Sequence, residues 1–233
     1  MPELGALAII PARGGSKRLP RKNVLPFNGR PVIEYTIKAA LQSGCFDRVI
    51  VSSDDDEILE IASATDAEVD RRSSELGSDT ATVAEVCAEF LERESIAGTS
   101  YGILAALYAT APMRTAEDIH STMSLLDDGS CDYAMAATHF SHYVHQALEV
   151  DGAQFVKPRW PELYEMRPAE IGPLVAGNGS TYCVRVDTFM NSGSFIGEKT
   201  RVHVMPMIRS IDIDTIDDFH MAESIHRLQN SLG

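Results

Sequence analysis

Residues 8 to 23 read Ala-Ile-Ile-Pro-Ala-Arg-Gly-Gly-Ser-Lys-Arg-Leu-Pro-Arg-Lys-Asn, an apolar run that enters a loop of two glycines, a serine and five cations. No Asp or Glu occurs between Leu4 and Ile33, whereas Arg13, Lys17, Arg18, Arg21, Lys22 and Arg30 all do. The chain carries −14, from 20 Lys and Arg against 34 Asp and Glu. Setting these six cations aside leaves 14 against 34, so the segment is +6 and the remainder −20. A positive loop on so acidic a chain suits a polyanion such as a nucleoside triphosphate. Gly14 and Gly15 would let backbone N–H groups approach phosphate oxygens closely, while Lys17, Arg21 and Lys22 supply charge. The spacing is neither GxxxxGK[ST] nor GxGxxG, so the Walker and dinucleotide fingerprints are absent. The alternative is a solvated basic loop.

A second constellation is Ser210-Ile211-Asp212-Ile213-Asp214-Thr215. In an extended segment, alternation places Asp212 and Asp214 on one side, where both carboxylates can approach a hard cation. Two carboxylates plus substrate phosphates are the usual setting for Mg²⁺. Asp214 or Thr215 could equally cap a following helix, and the two roles are compatible. A third stretch, Arg72-Ser73-Ser74-Glu75-Leu76-Gly77-Ser78-Asp79-Thr80, reads by itself only as a polar loop before a helix.

The elements that must position these residues alternate along the chain. Leu7–Pro11 is a buried parallel strand by its unbroken apolarity. Pro31–Leu41 has helical recurrence and Gly44 as a stop. Arg48–Ser52 reads as a strand, and Asp55–Ala64 as a helix capped by Ser53 or Asp54. Ala67–Val69 is a short strand. A helix opens near Thr80 and runs through Phe90 and Leu91, with Thr82 and Glu85 spaced as a capping box. Tyr101–Ala109 is the longest apolar strand, followed by a helix over Thr115–Leu126 and a strand over Cys131–Thr138. From about 140 to 174 periodicity fades, and four prolines and Trp160, the one tryptophan, appear. Such segments are usually functional or oligomeric. Strand character returns at Thr181–Val186 and Val202–Met205, and Thr215–Leu228 closes the chain as a helix.

This order implies an α/β domain with a mostly parallel sheet and a ligand crevice at the carboxyl ends of its strands. The basic loop, Ser52–Asp54 and Thr110–Arg114 all fall at such ends, as one shared site requires. One domain spanning 1–233 is expected, with an insertion at about 140–174. The acidic balance argues against nucleic-acid or anionic-membrane binding. No signal-peptide or membrane-spanning run is evident, and Cys45, Cys87, Cys131 and Cys183 are scattered without metal-ligand spacing, as free thiols in the cytoplasm would be.

Six segments taken in order resemble one family. IIPARGGSKRLPRKN (9–23), VSSDDDEI (51–58), RSSELGSDTA (72–81), YATAPMR (108–114), NGSTY (178–182) and SIDIDTIDDFHMAE (210–223) look like the signatures of the CMP-sialic acid synthetase family, the cytidylyltransferases that activate nine-carbon α-keto acid sugars. The resemblance spans nearly the whole chain. It implies a Rossmann-like nucleotidyltransferase fold with helices on both sheet faces, a homodimer, Mg²⁺ and CTP, and the weakly periodic 140–174 extension is expected at the dimer interface. It assigns Arg13, Lys17 and Lys22 to the triphosphate, with Gly14, Gly15, Ser16 and Asn23 also binding the nucleotide. Arg72 and the corner Asp79, Thr80, Ala81 and Thr82 would surround the cytidine. Asp212 and Asp214 would hold Mg²⁺ and, with Arg13 and Lys17, form the catalytic set. Tyr108, Asn178, Gly179, Tyr182 and Phe195 would contact the sugar acid, and Arg167 would bind its carboxylate, in its own or the partner's site.

The implied reaction is attack of the sugar's C2 hydroxyl on the α-phosphorus of CTP, giving the CMP-sugar and pyrophosphate. Family members specific for sialic acid carry Gln where Tyr108 stands, and the pseudaminic acid branch carries YATAP, whereas NGSTY is closer to the sialic acid type. A CMP-Kdo synthetase, a sugar-1-phosphate uridylyltransferase and a catalytically silent nucleotide-binding protein of the same fold are the rival readings. The DIDT and NGSTY segments speak against the uridylyltransferase, and the presence of Lys17, Lys22 and both aspartates against silence.

Overall fold

A computed structural model of the chain describes residues 3–73, 75–78 and 80–232. Seven strands form the main sheet: β1 (Glu3–Pro11), β2 (Arg48–Ser53), β3 (Glu68–Arg71), β4 (Ser100–Leu107), β5 (Tyr133–His139), β6 (Val175–Arg185) and β7 (Thr200–Val204). Their spatial order is β7-β5-β6-β4-β1-β2-β3. All neighbours pair in parallel except β6, which runs antiparallel to both β4 and β5. The helices are α1 (Val32–Ser43), α2 (Asp56–Ser63), α3 (Val83–Ile96), α4 (Ala116–Met123), α5 (Val186–Ser192) and α6 (Ile216–Leu232).

The period of two in β1 divides its side chains between two cores. Ala6, Ala8 and Ile10 pack with Ile33 and Ile37 of α1, Ile58 of α2 and Ile119 of α4. Leu7 and Ile9 face the other way, onto Cys87, Phe90 and Leu91 of α3 and Phe189 of α5. Helices therefore cover both faces, which is why β1 reads as a continuous apolar run.

A third, smaller core decides the geometry of the site. Leu19 from the basic loop, Ile211, Ile213 and Phe219 of α6 pack together with Phe27, Val32 and Met113. Burying the two isoleucines contributes roughly 3 kcal/mol or more. That burial fixes the residues between and after them, Asp212 and Asp214, on the opposite side.

Several boundaries differ from the sequence reading. The strand expected at Thr181–Val186 begins at Val175, because Gly177 and Gly179 hide its apolar pattern and the register with β5 shifts between Gly177 and Tyr182. The cap of α2 is Asp55, which accepts from Ile58 N–H at 3.1 Å, rather than Ser53 or Asp54. The 140–174 segment contains a small antiparallel ribbon, Leu148–Val150 with Val156–Pro158, and single helical turns at Pro161–Tyr164 and Pro168–Ile171. It stays off the main sheet. No helix among the described residues is long and apolar enough to cross a membrane.

Candidate active site

After β3 the chain crosses back to place β4 on the other side of β1, so a crevice opens at the carboxyl ends of β1 and β4. A cleft of about 450 Å³ lies there, reached by Arg13 and Lys22 from the basic loop, Arg72 after β3, and Tyr108 and Thr110 after β4, with Asp212 and Asp214. A smaller hollow of about 300 Å³ adjoins it and adds Lys17. Ser16, Asn23, Ala81 and Thr82 also line the main cleft. A larger cavity of about 660 Å³ between α1 and α6 mixes Arg30 and Lys38 with Glu34 and Asp66, so it lacks the net positive field a polyanion needs.

The two aspartates are in different electrostatic states. Asp212 is largely buried, and its Oδ1 accepts a 2.5 Å hydrogen bond from the Thr110 hydroxyl. Burial pushes its carboxyl up, the charges of Asp214 and Asp218 add to this, and Thr110 and Lys22 oppose it. Burial acts on Asp214 in the same direction but is outweighed, so its carboxyl is pulled down. Lys22 Nζ donates to Asp214 Oδ1 at 2.8 Å, and Arg18 Nη2 lies 2.7 Å from Oδ2. Lys22 also donates to the Ile213 carbonyl at 3.0 Å. Thr215, not Asp214, caps α6: its hydroxyl accepts from Asp218 N–H at 3.3 Å while Asp218 Oδ2 accepts from Thr215 N–H at 2.8 Å.

The nucleotide-side residues converge with some changes of role. Asn23 is buried and donates to the Arg13 carbonyl at 3.0 Å, leaving its own Oδ1 without a partner. Arg72 donates to the Ser52 carbonyl at 2.9 Å, and its Nε is unpartnered. Thr82 caps α3 in a full capping box with Glu85, and Thr80 Oγ1 lies 3.1 Å from Ser78 Oγ. Asp79 lies outside the described residues. Gly14 departs from expectation: its N–H donates to Asp54 Oδ1 at 3.1 Å, and a Cβ there would stand 2.4 Å from the Asp55 carboxylate. Close packing against the two acids is by itself enough to require a glycine there. Gly15 faces open space. Arg21 also departs, because it ion-pairs with Asp55 and Glu57 at the start of α2.

On the other side of Asp212 stands a row of rings. Tyr108 and Tyr182 have centroids 5.4 Å apart, and Tyr182 and Phe195 6.2 Å. Burial raises the Tyr108 phenol to about 12, with Tyr182 and Asp212 adding to it, so it stays protonated near neutrality. Asn178 is engaged inside the fold: its Nδ2 donates to Ser210 Oγ at 3.1 Å, and its Oδ1 accepts from Ser180 N–H at 3.2 Å and Ser180 Oγ at 2.7 Å. Gly179 has φ +66 and lies directly against Asp212. Arg167 is exposed on the 140–174 segment and does not line the cleft of its own chain.

The sequence places Thr110 at the crevice and Arg18 in the basic loop, but it pairs neither with an aspartate, which is the part each plays here. Thr110 had one signal, a polar residue closing an apolar strand. Arg18 had only its charge.

A family model described as Cytidylyltransferase matches residues 7–156. The chain is 31% identical to the pseudaminic acid cytidylyltransferase of Campylobacter jejuni over 96% of this chain and 97% of that one. It belongs to the cytidylyltransferase family. This cytidylyltransferase is also 32% identical to the CMP-N,N'-diacetyllegionaminic acid synthase of Legionella pneumophila, over 95% of this chain and 96% of the relative. An N-acylneuraminate cytidylyltransferase of Streptococcus agalactiae is 30% identical over 91% of this chain but 51% of its own length. Among solved structures, a CMP:2-keto-3-deoxy-manno-octonic acid synthetase complexed with CTP superposes with TM-score 0.72 at 20% identity, covering 97% of this chain and 99% of that one. At that identity the likeness concerns the fold. The mostly parallel sheet with helices on both faces is thus a fold that this chain shares with that synthetase.

Proposed function

We propose that this enzyme transfers CMP from CTP to the C2 hydroxyl of a nine-carbon α-keto acid sugar and releases pyrophosphate. One observation carries the reading: the basic loop, Arg72 and the Asp212–Asp214 pair, from distant parts of the sequence, meet in one cleft with Tyr108 on its wall. Arg13 and Lys22 there, with Lys17 in the adjoining hollow, hold the triphosphate, and the unpartnered Asn23 Oδ1 and Arg72 Nε await polar groups of the nucleoside. The hydroxyl attacks the α-phosphorus in line with the departing pyrophosphate, whose growing charge Arg13 and Lys17 offset.

The residues present fit Mg²⁺. Asp212 and Asp214 offer hard oxygens, and a cation at Asp214 would take the place of Lys22 or Arg18, which hold its two oxygens. A largely buried Asp212 pushed toward protonation is the state a divalent cation would relieve. When bound, the ion would neutralise phosphate charge and acidify the attacking hydroxyl.

We further infer a homodimer through the 140–174 segment, where Tyr143, Val150, Phe155 and Val156 are each more than half exposed. Consumption of CTP suits a cytoplasmic location. Pyrophosphate release measured across CTP, UTP and GTP with pseudaminic, legionaminic and N-acetylneuraminic acids tests the reaction. Turnover with CTP and at least one of these acids is expected, and inactivity with all three acids would refute it.

A further inference from the structure

We propose that Asp118 and Arg209 are a positioning pair that sets the Asp212 carboxylate for catalysis. The inference rests on reading Asp212 as a metal-side carboxylate. Asp118 sits in the first turn of α4, where a surface acid would suffice to complete a capping box with Thr115, yet its side chain is 1% exposed. Its Oδ2 accepts from Thr115 N–H at 3.0 Å and from the Thr115 hydroxyl at 2.8 Å. Arg209 grips the same carboxylate with both prongs, Nε to Oδ2 at 3.0 Å and Nη2 to Oδ1 at 2.8 Å. His203 Nε2 of β7 adds a contact at 3.3 Å. One buried carboxylate therefore ties α4, β7 and the stretch before Asp212 together.

Met205 N–H donates to the Ala137 carbonyl at 2.8 Å, and Ile213 N–H donates to the Thr110 carbonyl at 2.9 Å. Between them lies one short helical turn, with Arg209 N–H to Pro206 O and Ser210 N–H to Met207 O each at 3.0 Å. Asn178 also holds Ser210, at 3.1 Å, and Ile211 packs in the third core, so the pair adds a fixed angle to a stretch already tied at its far end. Arg209 is three residues from Asp212, and its planar two-pronged grip constrains angle as well as distance. A lysine in its place would supply charge without that angle.

Arg209→Lys keeps a cation opposite the buried Asp118, so the fold is expected to survive. With both substrates saturating, kcat should fall at least ~10-fold while KM for CTP stays within about 2-fold, as for loss of a group that orients a ligand. Mn²⁺ binding to the enzyme–CTP complex, titrated calorimetrically without sugar, should weaken at least ~10-fold. A folded Arg209→Lys enzyme with wild-type kcat and Mn²⁺ affinity would overturn the proposal. Should the lysine variant fail to fold, Asp118→Asn with Arg209→Gln removes both charges and carries the same expectation and the same overturning result. Asp212→Asn separates the two ideas. If that variant keeps full rate and Mn²⁺ affinity, the reading of Asp212 falls and this inference with it. If it is inactive while Arg209→Lys is normal, only the positioning role is refuted.

Discussion

Gly179 lies so close to Asp212 that a Cβ at residue 179 would stand 2.7 Å from the Asp212 Oδ2. Its φ of +66 is also one that side-chain-bearing residues rarely adopt. Gly179→Ala should thus strain the backbone and push the carboxylate at once. Turnover is expected to fall at least ~10-fold, in line with misplacement of a reacting constellation by a fraction of an ångström. Circular dichroism should report an intact sheet. A fully active Gly179→Ala would show that Asp212 is not held at a critical position.

Lys17 and Lys38 make a matched comparison of two lysines. Lys17 lines the hollow beside the cleft, whereas Lys38 stands on α1 at the cavity of mixed charge. Lys17→Ala should cost ~100-fold in rate, the scale of removing one transition-state charge contact. Lys38→Ala should leave steady-state kinetics unchanged. Equal, small effects from both would mean that the basic loop is a solvated surface.

These pairs also mark how far the sequence was legible. The strand–helix alternation and the basic loop were readable because apolar runs and charge clustering are local signals. The alternation Ile211-Asp212-Ile213-Asp214 was readable for the same reason, and the third core accounts for it. What stayed hidden depends on residues far apart in the chain. Gly14 is bounded by Asp54 and Asp55 some 40 residues on, and Arg21 is drawn to α2 by the same acidic corner. Asn178 looked like a ligand contact, yet both ends of its amide hold Ser180 and Ser210. A polar residue in a motif does not say whether its hydrogen bonds face ligand or fold.

Asp118 gives a pH-dependent prediction for stability. Burial would raise its carboxyl, but Arg209 together with the bonds from Thr115 and His203 holds it at about 2. A folded value below the unfolded one stabilises the protein above the unfolded pKa, and that stabilisation disappears as pH falls toward the folded value. The difference from an ordinary aspartate corresponds to roughly 2 kcal/mol. Asp118→Asn should therefore be less stable than wild type in urea melts at pH 7, and the gap should close progressively below about pH 4. A gap that stays constant to pH 3 would rule out the ionised pair as its source.

Assembly is tested at the ribbon formed by Leu148–Val150 and Val156–Pro158. Phe155 is 75% exposed and Val156 57%, which is more apolar surface than so small a ribbon would leave to water. Phe155→Asp with Val156→Asp should convert a dimer into monomers in light scattering at micromolar concentration. A wild-type protein that is monomeric and fully active under the same conditions would defeat the dimer proposal.

The choice of sugar turns on Tyr108. Its ring stands 5.4 Å from that of Tyr182, and its phenol is buried enough to remain protonated near neutrality. A glutamine at this position would offer one acceptor and two donors to a polar substituent, whereas the phenol offers an apolar face and a single hydroxyl. Sites lacking a polar partner discriminate against substrates whose hydroxyls would then be buried unpaired. Asn178 does not redress the balance, because its amide already bonds to Ser180 and Ser210. Pseudaminic or legionaminic acid, with deoxy and N-acylated positions, should thus be at least as good a substrate as N-acetylneuraminic acid. Tyr108→Gln should move the preference toward N-acetylneuraminic acid, by roughly 10-fold in the ratio of kcat/KM values, the scale of one hydrogen-bonded contact. Competition among the three acids for limiting enzyme reads this ratio directly. A strong preference for N-acetylneuraminic acid in the wild type, unchanged by Tyr108→Gln, would show that the ring closes β4 without meeting the sugar.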